Sequence, residues 1–164
     1  MNAASDELWM EQALRLAQRS AAAEEVPVGA VIVCNGAIVG RGWNQTIAVC
    51  DPTAHAEIIA LREAAAKSGN YRLADCDLYA TLEPCAMCAG ALVHARIRRL
   101  VYGAPDPKAG AAGSVLSVVN HPALNHQMQV TAGVLAGRCM EMLQAFFRER
   151  RTENASRPKT ARDY

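Results

Sequence analysis

The chain has 164 residues, of which 51% are hydrophobic and 20% are charged, and its formal net charge is +1. This is the composition of one globular domain, and no apolar run reaches the roughly 18 residues that a membrane-spanning helix needs. Asp6, Glu7 and Glu11 lie where a secretory signal would be basic and then apolar, so we expect a cytoplasmic protein whose cysteines stay reduced.

The first quarter of the chain predicts a helix followed by a β-hairpin. Apolar residues recur at helical spacing over 6–23, and Ser5 or Asp6 can cap the start of this helix. The apolar runs 28–34 and 37–43 predict two strands. The Asn-Gly pair between them favours a two-residue type I′ turn, because both residues tolerate positive φ.

The middle of the chain alternates helices with strands. A second helix opens at the Asp-Pro-Thr segment 51–53 and ends near Lys67, just before a glycine that suits a helix C-terminus. Residues 77–81 predict a third strand. Pro84 begins a third helix, which extends to Ala95.

The last part of the chain predicts two more strands and a long helix. Strand 98–103 and the weak strand 128–132 flank residues 104–125, whose Pro, Gly, Ala and Ser content predicts a loop with a short helix. Residues 134–151 predict the final helix.

The order of these elements predicts an α/β fold. Helices that alternate with short apolar strands imply a three-layer α/β/α sandwich, and the opening hairpin makes its five-stranded central sheet mixed. Residues 1–151 are predicted to form this single domain, and residues 152–164 a flexible basic tail.

Two short motifs carry the candidate chemistry, His-Ala-Glu at 55–57 and Pro-Cys-Ala-Met-Cys at 84–88. Both fall at predicted helix starts, where free N–H groups and a partial positive charge stabilise thiolates. Cys85 and Cys88 are three residues apart and so face one side of a helical turn. One imidazole and two thiolates predict a catalytic zinc site with an open position for water, since a structural zinc takes four protein ligands. Glu57 would exchange protons with that water.

Other interpretations of these residues are a redox-active cysteine pair and a binding module in which zinc is a structural clamp. The proline before the first cysteine and the upstream His-x-Glu favour a metal, and Glu57 argues against a purely structural one. We interpret His121 and His126 as loop or RNA contacts in preference to a second metal site. The other cysteines are interpreted as packing thiols: Cys34, Cys50, Cys76 and Cys139.

At these residues the chain resembles the zinc-dependent cytidine-deaminase-like superfamily, whose signature is H-x-E followed by P-C-x-x-C. Over about residues 7–151 it further resembles the bacterial tRNA adenosine deaminases. The segments that carry this second resemblance are EVPVGAVIV (25–33), GWN (42–44), DPTAHAE (51–57), NYRL (70–73), TLEPCAMCAGA (81–91), GAAGS (110–114), NHP (120–122) and FFR (146–148).

The resemblance implies zinc-dependent hydrolytic deamination of adenosine to inosine at the wobble position of a tRNA anticodon. His55, Cys85 and Cys88 would bind one zinc ion per subunit, and the water activated there would attack C6 of adenine. Glu57 would protonate N1 and then the departing amino group. A deaminase of free bases or nucleosides would use the same ligands, so it remains the alternative.

The resemblance also implies substrate contacts and a homodimer. Asn44 would hydrogen-bond the flipped base, and the backbone N–H of Ala56 would face the oxygen at C6. Two departures from the family pattern concern the rim of the pocket. Pro105 replaces a residue that is often basic, and Gln45-Thr46 replaces a more usual Arg-Pro.

The prediction that the chain recognises a tRNA anticodon loop rests on its C-terminal half. Residues 1–90 hold 6 Lys/Arg and 11 Asp/Glu, whereas residues 91–164 hold 11 Lys/Arg and 5 Asp/Glu. A basic end is compatible with a polyanionic partner, although a solvated helix with a charged tail also explains it. Candidate phosphate contacts are Arg148, Arg150, Arg151, Arg157, Lys159 and Arg162.

Two further substrate contacts are predicted, each with a structural alternative. Phe147 would stack on an unpaired base, but Phe146 and Phe147 could also pack in the core, and we expect at least one ring to be buried. Asp106 would accept a hydrogen bond from a ribose 2′-OH, or it is an ordinary turn residue.

Overall fold

The computed structural model describes residues 3–156, and this part of the chain forms four helices and five strands. The helices are α1 (Ala3–Ala22), α2 (Ala56–Ser68), α3 (Ala86–His94) and α4 (Ala136–Ser156). The strands are β1 (Gly29–Cys34), β2 (Ala37–Trp43), β3 (Cys76–Leu82), β4 (Arg99–Ala104) and β5 (Gln129–Ala132). Among the described residues, no helix combines the length and the apolar character needed to cross a membrane.

The five strands form one mixed sheet in the order β2-β1-β3-β4-β5. β1 pairs antiparallel with both β2 and β3, whereas the pairs β3–β4 and β4–β5 are parallel. Between β1 and β2, φ is 51° at Asn35 and 75° at Gly36, as a type I′ turn requires. The predicted mixed sheet that opens with a hairpin is confirmed.

Helices cover both faces of the sheet, which confirms the predicted three-layer sandwich. Buried residues of α2 and α3 pack on the face that carries Ile32 and Leu78. Buried residues of α1 pack on the opposite face, against Val31 and Tyr79, where α4 contributes Cys139. Neighbouring residues of β1 and β3 therefore point to opposite cores, as the two-residue period of a strand requires.

Two glycines of β2 set the position of α2. A Cβ atom on Gly42 would lie 1.9 Å from the carbonyl oxygen of Ala56, and one on Gly40 would lie 2.3 Å from that of Ala60. Any side chain at these positions would push α2 away from the sheet. The close approach therefore holds the first turn of α2, with His55 just before it, beside the end of β2.

The start of α2 differs from the predicted one. The Asp51 carboxylate accepts hydrogen bonds from the N–H (2.8 Å) and the hydroxyl (2.7 Å) of Thr53, so the Asp-Pro-Thr segment forms a turn of its own. The helix begins only at Ala56. Asx turns compete in this way with helix starts, because the same side-chain acceptor suits both.

Neither of the residues predicted to cap α1 lies at its start, because the helix already includes Ala3. Asp6 has a different role. It is 5% exposed, it binds the Arg99 guanidinium at 2.9 and 2.7 Å, and it accepts a hydrogen bond from the Tyr79 hydroxyl at 2.9 Å. This network connects α1 to β3 and β4 across one core.

The prediction of a short helix within residues 104–125 is wrong, because this described segment contains none. The chain there folds back on itself, with Leu116 donating to Gly110 (3.0 Å) and Val118 donating to Ala111 (2.9 Å). Its backbone groups are satisfied across this hairpin-like turn and not along a helix axis. The predicted tail begins inside α4, which continues to Ser156; residues 157–164 lie outside the described residues.

Candidate active site

Two helix N-termini bring the predicted metal ligands together. His55 directly precedes α2 and Cys85 directly precedes α3, both with extended backbone, and Cys88 lies in the first turn of α3. The Nδ1 atom of His55 lies 3.5 Å from the Cys88 sulfur and 3.7 Å from the Cys85 sulfur. One nitrogen and two sulfur donors lie within 4.8 Å of one another, and this donor set is the one that zinc prefers.

The three groups form a strongly coupled cluster of charges and protons. Hydrogen bonds from Cys88 and His55 lower the pKa of Cys85 to about 3. The contact with the Cys85 thiolate, together with burial, raises the pKa of Cys88, and the Cys85 contact also raises the pKa of His55. The surroundings of Cys85 thus favour its thiolate, which is the form of cysteine that binds a metal ion.

Glu57 lies beside these ligands in the first turn of α2 and is 4% exposed. It is not a member of the group of three ligands within the described residues. Burial raises the pKa of its carboxyl above the usual value, against the opposing effect of His55. A buried acid next to a three-ligand metal site can exchange protons at neutral pH.

The predicted base contact Asn44 is held rigidly next to α2. It follows β2 directly, and its Oδ1 accepts a hydrogen bond of 3.0 Å from the N–H of Ala56. Its own N–H donates to Val28 (3.2 Å), and its carbonyl accepts from Ser20 (3.1 Å). The N–H of Ala56 is therefore already bonded, so its predicted contact with the C6 oxygen requires that this bond be shared or replaced.

A loop that we call the rim loop (residues 105–118) lies against the metal ligands. Gly110 forms an antiparallel bridge with Cys85, and the N–H of Ala111 donates to the Pro84 carbonyl at 2.8 Å. The position of the loop is thus fixed directly against one zinc ligand. The rim loop carries Asp106, one of the predicted substrate contacts.

Sequence reasoning did not single out Glu83, a buried residue that organises the rim loop. Its carboxylate accepts from the N–H groups of Asp106 (3.0 Å), Ala112 (2.9 Å) and Ser114 (3.0 Å), and also from the Ser114 hydroxyl. A Cβ atom on Gly110 would lie 2.4 Å from this carboxylate, so only glycine leaves room for it. The available signal was an acidic residue at the end of an apolar strand, directly before Pro84.

Asp106 performs the turn role that was its structural alternative. Its Oδ1 accepts from the N–H groups of Lys108 (2.9 Å) and Ala109 (3.2 Å). These bonds fix the carboxylate within the rim loop, and its contact with a ribose 2′-OH stays a prediction.

A second buried acid, Glu25, organises the turn that follows Asn44. Glu25 is 1% exposed and accepts from the N–H groups of Ile47 (2.7 Å) and Ala48 (2.8 Å). The Thr46 hydroxyl donates to it at 3.1 Å. Thr46, one of the departures from the family pattern, is therefore part of the scaffold of this turn.

The end of α4 supplies an exposed surface with aromatic and basic residues. Phe146 is half-buried and Phe147 is 45% exposed, so the expectation that one ring would be buried is wrong. The helix packs on the sheet through earlier residues such as Cys139 and Leu143, and its later turns extend beyond that core. The predicted contacts Phe147 and Arg148 share a groove of about 440 Å³ with Lys108 of the rim loop.

The other cysteines and histidines have varied roles. All six cysteines lie in the described part of the chain and are free thiols; Cys50 is exposed, so its predicted packing role is wrong. Cys50 lies in a turn, where its φ is 53°. His121 accepts from a loop N–H at 3.2 Å, and His126 lies 2.7 Å from the Ile97 carbonyl, as the predicted loop contacts require.

Comparisons with known proteins agree with this geometry. The model of the cytidine and deoxycytidylate deaminase zinc-binding region matches residues 3–104. A tRNA-specific adenosine deaminase of Haemophilus influenzae is 53% identical over 149 residues, which make up 90% of this chain and 86% of that protein.

Solved structures extend the comparison to the fold. One from a study of A-to-I editing by tRNA:A34 deaminases at the wobble position has a TM-score of 0.79 and 45% identity, covering 82% of this chain and 97% of that one. A guanine deaminase from Nitrosomonas europaea has a TM-score of 0.75 at 26% identity, covering 85% of this chain and 83% of that one. The fold is thus similar in solved structures that are named for different purine substrates.

Proposed function

The chain belongs to the zinc-binding cytidine and deoxycytidylate deaminase family, and we propose from this premise how it carries out its reaction. It hydrolytically deaminates adenosine to inosine at the wobble position of tRNA and releases ammonia. The observation that carries this function is the convergence of His55, Cys85 and Cys88 in a chain so similar to tRNA-specific adenosine deaminases.

The cofactor is zinc, held by His55, Cys85 and Cys88. With three protein ligands, zinc supplies Lewis acidity and lowers the pKa of a water molecule to about 7. The protein contributes the soft donors, their placement at two helix N-termini, and a buried acid beside them.

We propose that Glu57 is the residue that moves protons during the reaction. It would take one proton from the attacking water and pass it to N1 of adenine. It would then take the proton of the new C6 hydroxyl and give it to the amino group, which leaves as ammonia when the C6 carbonyl forms. Burial supports this role, because the raised pKa of Glu57 allows the carboxyl both to hold and to release a proton.

The groups around Glu57 support roles in base binding. Three hydrogen bonds fix Asn44: its main-chain N–H and carbonyl make one each, and its Oδ1 makes the third. Its side-chain amide therefore has a defined orientation. We assign it the contact with the flipped adenine. Ala56 lies directly between His55 and Glu57, and its N–H, which donates to Asn44 Oδ1 in this structure, would turn to the oxygen at C6 or be shared with it.

The rim would bind the rest of the anticodon loop. Phe147 is exposed and can stack on an unpaired base, while Arg148 in the same groove can contact a phosphate. Asp106, which accepts a hydrogen bond from the N–H of the groove residue Lys108, would accept from a ribose 2′-OH. Such contacts select RNA, whereas the metal centre alone selects only deamination.

We also propose that the protein acts in the cytoplasm as a homodimer whose single-domain subunits span residues 1–151. Exposed apolar side chains on the start of α3 and on the rim loop, which are joined by the bridge between Cys85 and Gly110, support a subunit interface at this surface. These are Met87, Val115 and Leu116, which are 37%, 51% and 50% exposed.

The decisive experiment offers the zinc-loaded protein two kinds of substrate. One is an RNA anticodon stem-loop with adenosine at the wobble position, and the other is free adenosine, cytidine or guanine at the same concentration. We expect inosine in the stem-loop at a rate far above any turnover of the free compounds. Turnover of a free base or nucleoside without conversion of the stem-loop would contradict the proposed substrate and favour the small-molecule deaminases.

A further inference from the structure

A second pair of thiols lies at the end of the sheet opposite the zinc site. Cys34, the last residue of β1, is the Cα partner of Cys76, the first residue of β3, in the antiparallel ladder. The zinc ligand Cys85 follows the other end of β3. The seven residues of β3, at about 3.3 Å each, separate the two ends by roughly 20 Å.

The backbone hydrogen bonds define the geometry of this cross-strand pair. The N–H of Cys76 donates to the Leu73 carbonyl at 3.0 Å, and its carbonyl accepts from the N–H of Arg98 at 3.0 Å. Both groups are thus bonded away from Cys34, which makes the two cysteines a non-hydrogen-bonded pair. Their Cα atoms are then about 4.5 Å apart, within the range of roughly 4.4–6.8 Å that disulfides span.

The two side chains lie on the same face of the sheet and interact directly. Cys76 is 5% exposed, and the half-buried Cys34 packs against the same core. Burial and the contact with Cys34 raise the pKa of Cys76 to about 12. Cys34, which lies nearer to solvent beside the exposed hairpin turn, is therefore the thiol that an oxidant reaches first.

We propose that Cys34 and Cys76 are a site of reversible disulfide formation, oxidised by small disulfides such as oxidised glutathione. The Cys34 thiolate attacks one sulfur of the oxidant, whose S–S bond breaks to release one thiol. The Cys76 sulfur then attacks the Cys34 sulfur, which forms the protein disulfide and releases the second thiol. Two protein thiols are oxidised, and the oxidant disulfide is reduced to two thiols that carry away both protons.

The proposal does not depend on the proposed deaminase reaction. The new bond would close a loop of 43 residues between strands that already pair, so it adds a constraint without moving the zinc site. We expect the oxidised protein to unfold at a higher temperature and to keep its zinc.

Mass spectrometry tests the site directly. The zinc-loaded protein is incubated with oxidised glutathione, free thiols are blocked, and the chain is cut with trypsin and a protease that cleaves before aspartate. Asp77 lies between Cys76 and the zinc ligands, so this digestion separates Cys76 from Cys85 and Cys88. We expect a Cys34–Cys76 cross-link that dithiothreitol reverses and a loss of mass of two hydrogen atoms.

Three variants sharpen the result. Cys34→Ser and Cys76→Ser should each abolish the cross-link and the rise in unfolding temperature, whereas Cys50→Ser, which removes the exposed thiol, should retain both. A glutathione adduct that persists on Cys34 without a cross-link would overturn the proposal. A cross-link to Cys85 or Cys88, or no reaction of Cys34, would overturn it equally.

Discussion

The floor of the site and its rim are built in different ways. We call His55, Glu57, Cys85 and Cys88 the floor of the site. They lie at two helix N-termini, and within each N-terminus the functional residues are only two or three positions apart. The rim, formed by the rim loop and the exposed face of α4, depends on acids such as Glu83 that lie outside it. Reaction chemistry is therefore encoded locally, and substrate choice depends on surface loops that distant side chains hold in place.

The largest effect should come from the floor. Glu57→Gln removes the carboxylate that exchanges protons but keeps its size, so we expect kcat to fall by about 10²–10⁴-fold or more. Zinc content should be unchanged, because the ligand group does not include Glu57. Ammonia release and zinc content are measured together, with the half-exposed Glu63→Gln on the same helix as the control. Unchanged turnover would mean that another group carries the protons.

The next effect concerns the opposite face of the sheet, which supports the floor without touching it. Arg99→Met leaves the buried Asp6 without its guanidinium partner, which should reduce the free energy of unfolding by about 3–5 kcal/mol. Denaturant unfolding measures the loss. The KM of the folded variant for the stem-loop should stay as it is in the parent. A large change in KM would contradict the view that this ion pair stabilises the fold without shaping the active site.

The pH dependence of stability provides a second measurement on this pair. Burial alone would raise the pKa of Asp6, but hydrogen bonds from Arg99 and Tyr79 outweigh it and lower this pKa below its ordinary value of 3.8. A carboxyl whose pKa is lower in the folded state contributes stability above pH 3.8 and loses it as the pH falls through the folded pKa. The parent should show this loss in acid, and Arg99→Met should show less of it.

The rim should be most sensitive at Glu83. In Glu83→Gln the side chain keeps one acceptor oxygen and gains an NH₂ group that faces donors of the rim loop. We expect the KM for the stem-loop to rise more than kcat falls, and the free energy of unfolding to drop by about 1–3 kcal/mol. Ser114→Ala removes one donor only and serves as the matched control. Equal losses of kcat and of kcat/KM in the Gln variant would mean that Glu83 supports the reaction step and not the binding of the stem-loop.

These two regions also differ in how far the sequence predicts them. The motifs at 55–57 and 84–88 predicted the ligand set, because each carries its donor residues within a few positions of a helix start. The strands and the layers followed from apolar periodicity and the Asn-Gly turn. The contacts of Glu25 and Glu83 were not predictable in this way, since each one joins segments that only the finished fold brings together.

The predicted loop with a short helix shows the same limit. Gly and Ala in residues 104–125 permit several conformations, and the hydrogen bonds that this segment donates to the Glu83 carboxylate select the one observed. Likewise, Asp6 could cap a helix by local rules, but Arg99, 93 residues away, binds it instead. Local preference is overridden wherever a buried charge finds a distant partner.

A smaller effect is expected on the outer face of α4. Phe147→Ala removes an exposed ring and should weaken stem-loop binding by about 1–3 kcal/mol, the usual contribution of one stacked base. Its stability should change little. Phe146→Ala is the comparison: this ring is half-buried and packs edge-on against Phe147 at 5.5 Å, so its loss should reduce stability more than binding. Unchanged binding by the Phe147 variant would contradict the proposal that this ring stacks on a base of the anticodon loop.

The smallest effect should be at Asp106, where the turn role and the proposed RNA contact can be separated. Asp106→Asn keeps an Oδ1 acceptor for the N–H groups of Lys108 and Ala109, so the rim loop should hold its shape. It removes the negative charge that strengthens a hydrogen bond from a ribose 2′-OH.

The measurement for Asp106 compares kcat/KM on two stem-loops that differ only by a 2′-deoxy sugar at the wobble nucleotide. We expect the preference for RNA to fall a few-fold in Asp106→Asn, because each charge-assisted hydrogen bond contributes about 1 kcal/mol more than a neutral one. Asp106→Ala should lose the turn as well, and with it stability. If Asp106→Asn has the same preference as the parent, the residue shapes the rim loop and does not read the sugar, and discrimination against DNA must come from elsewhere on the rim.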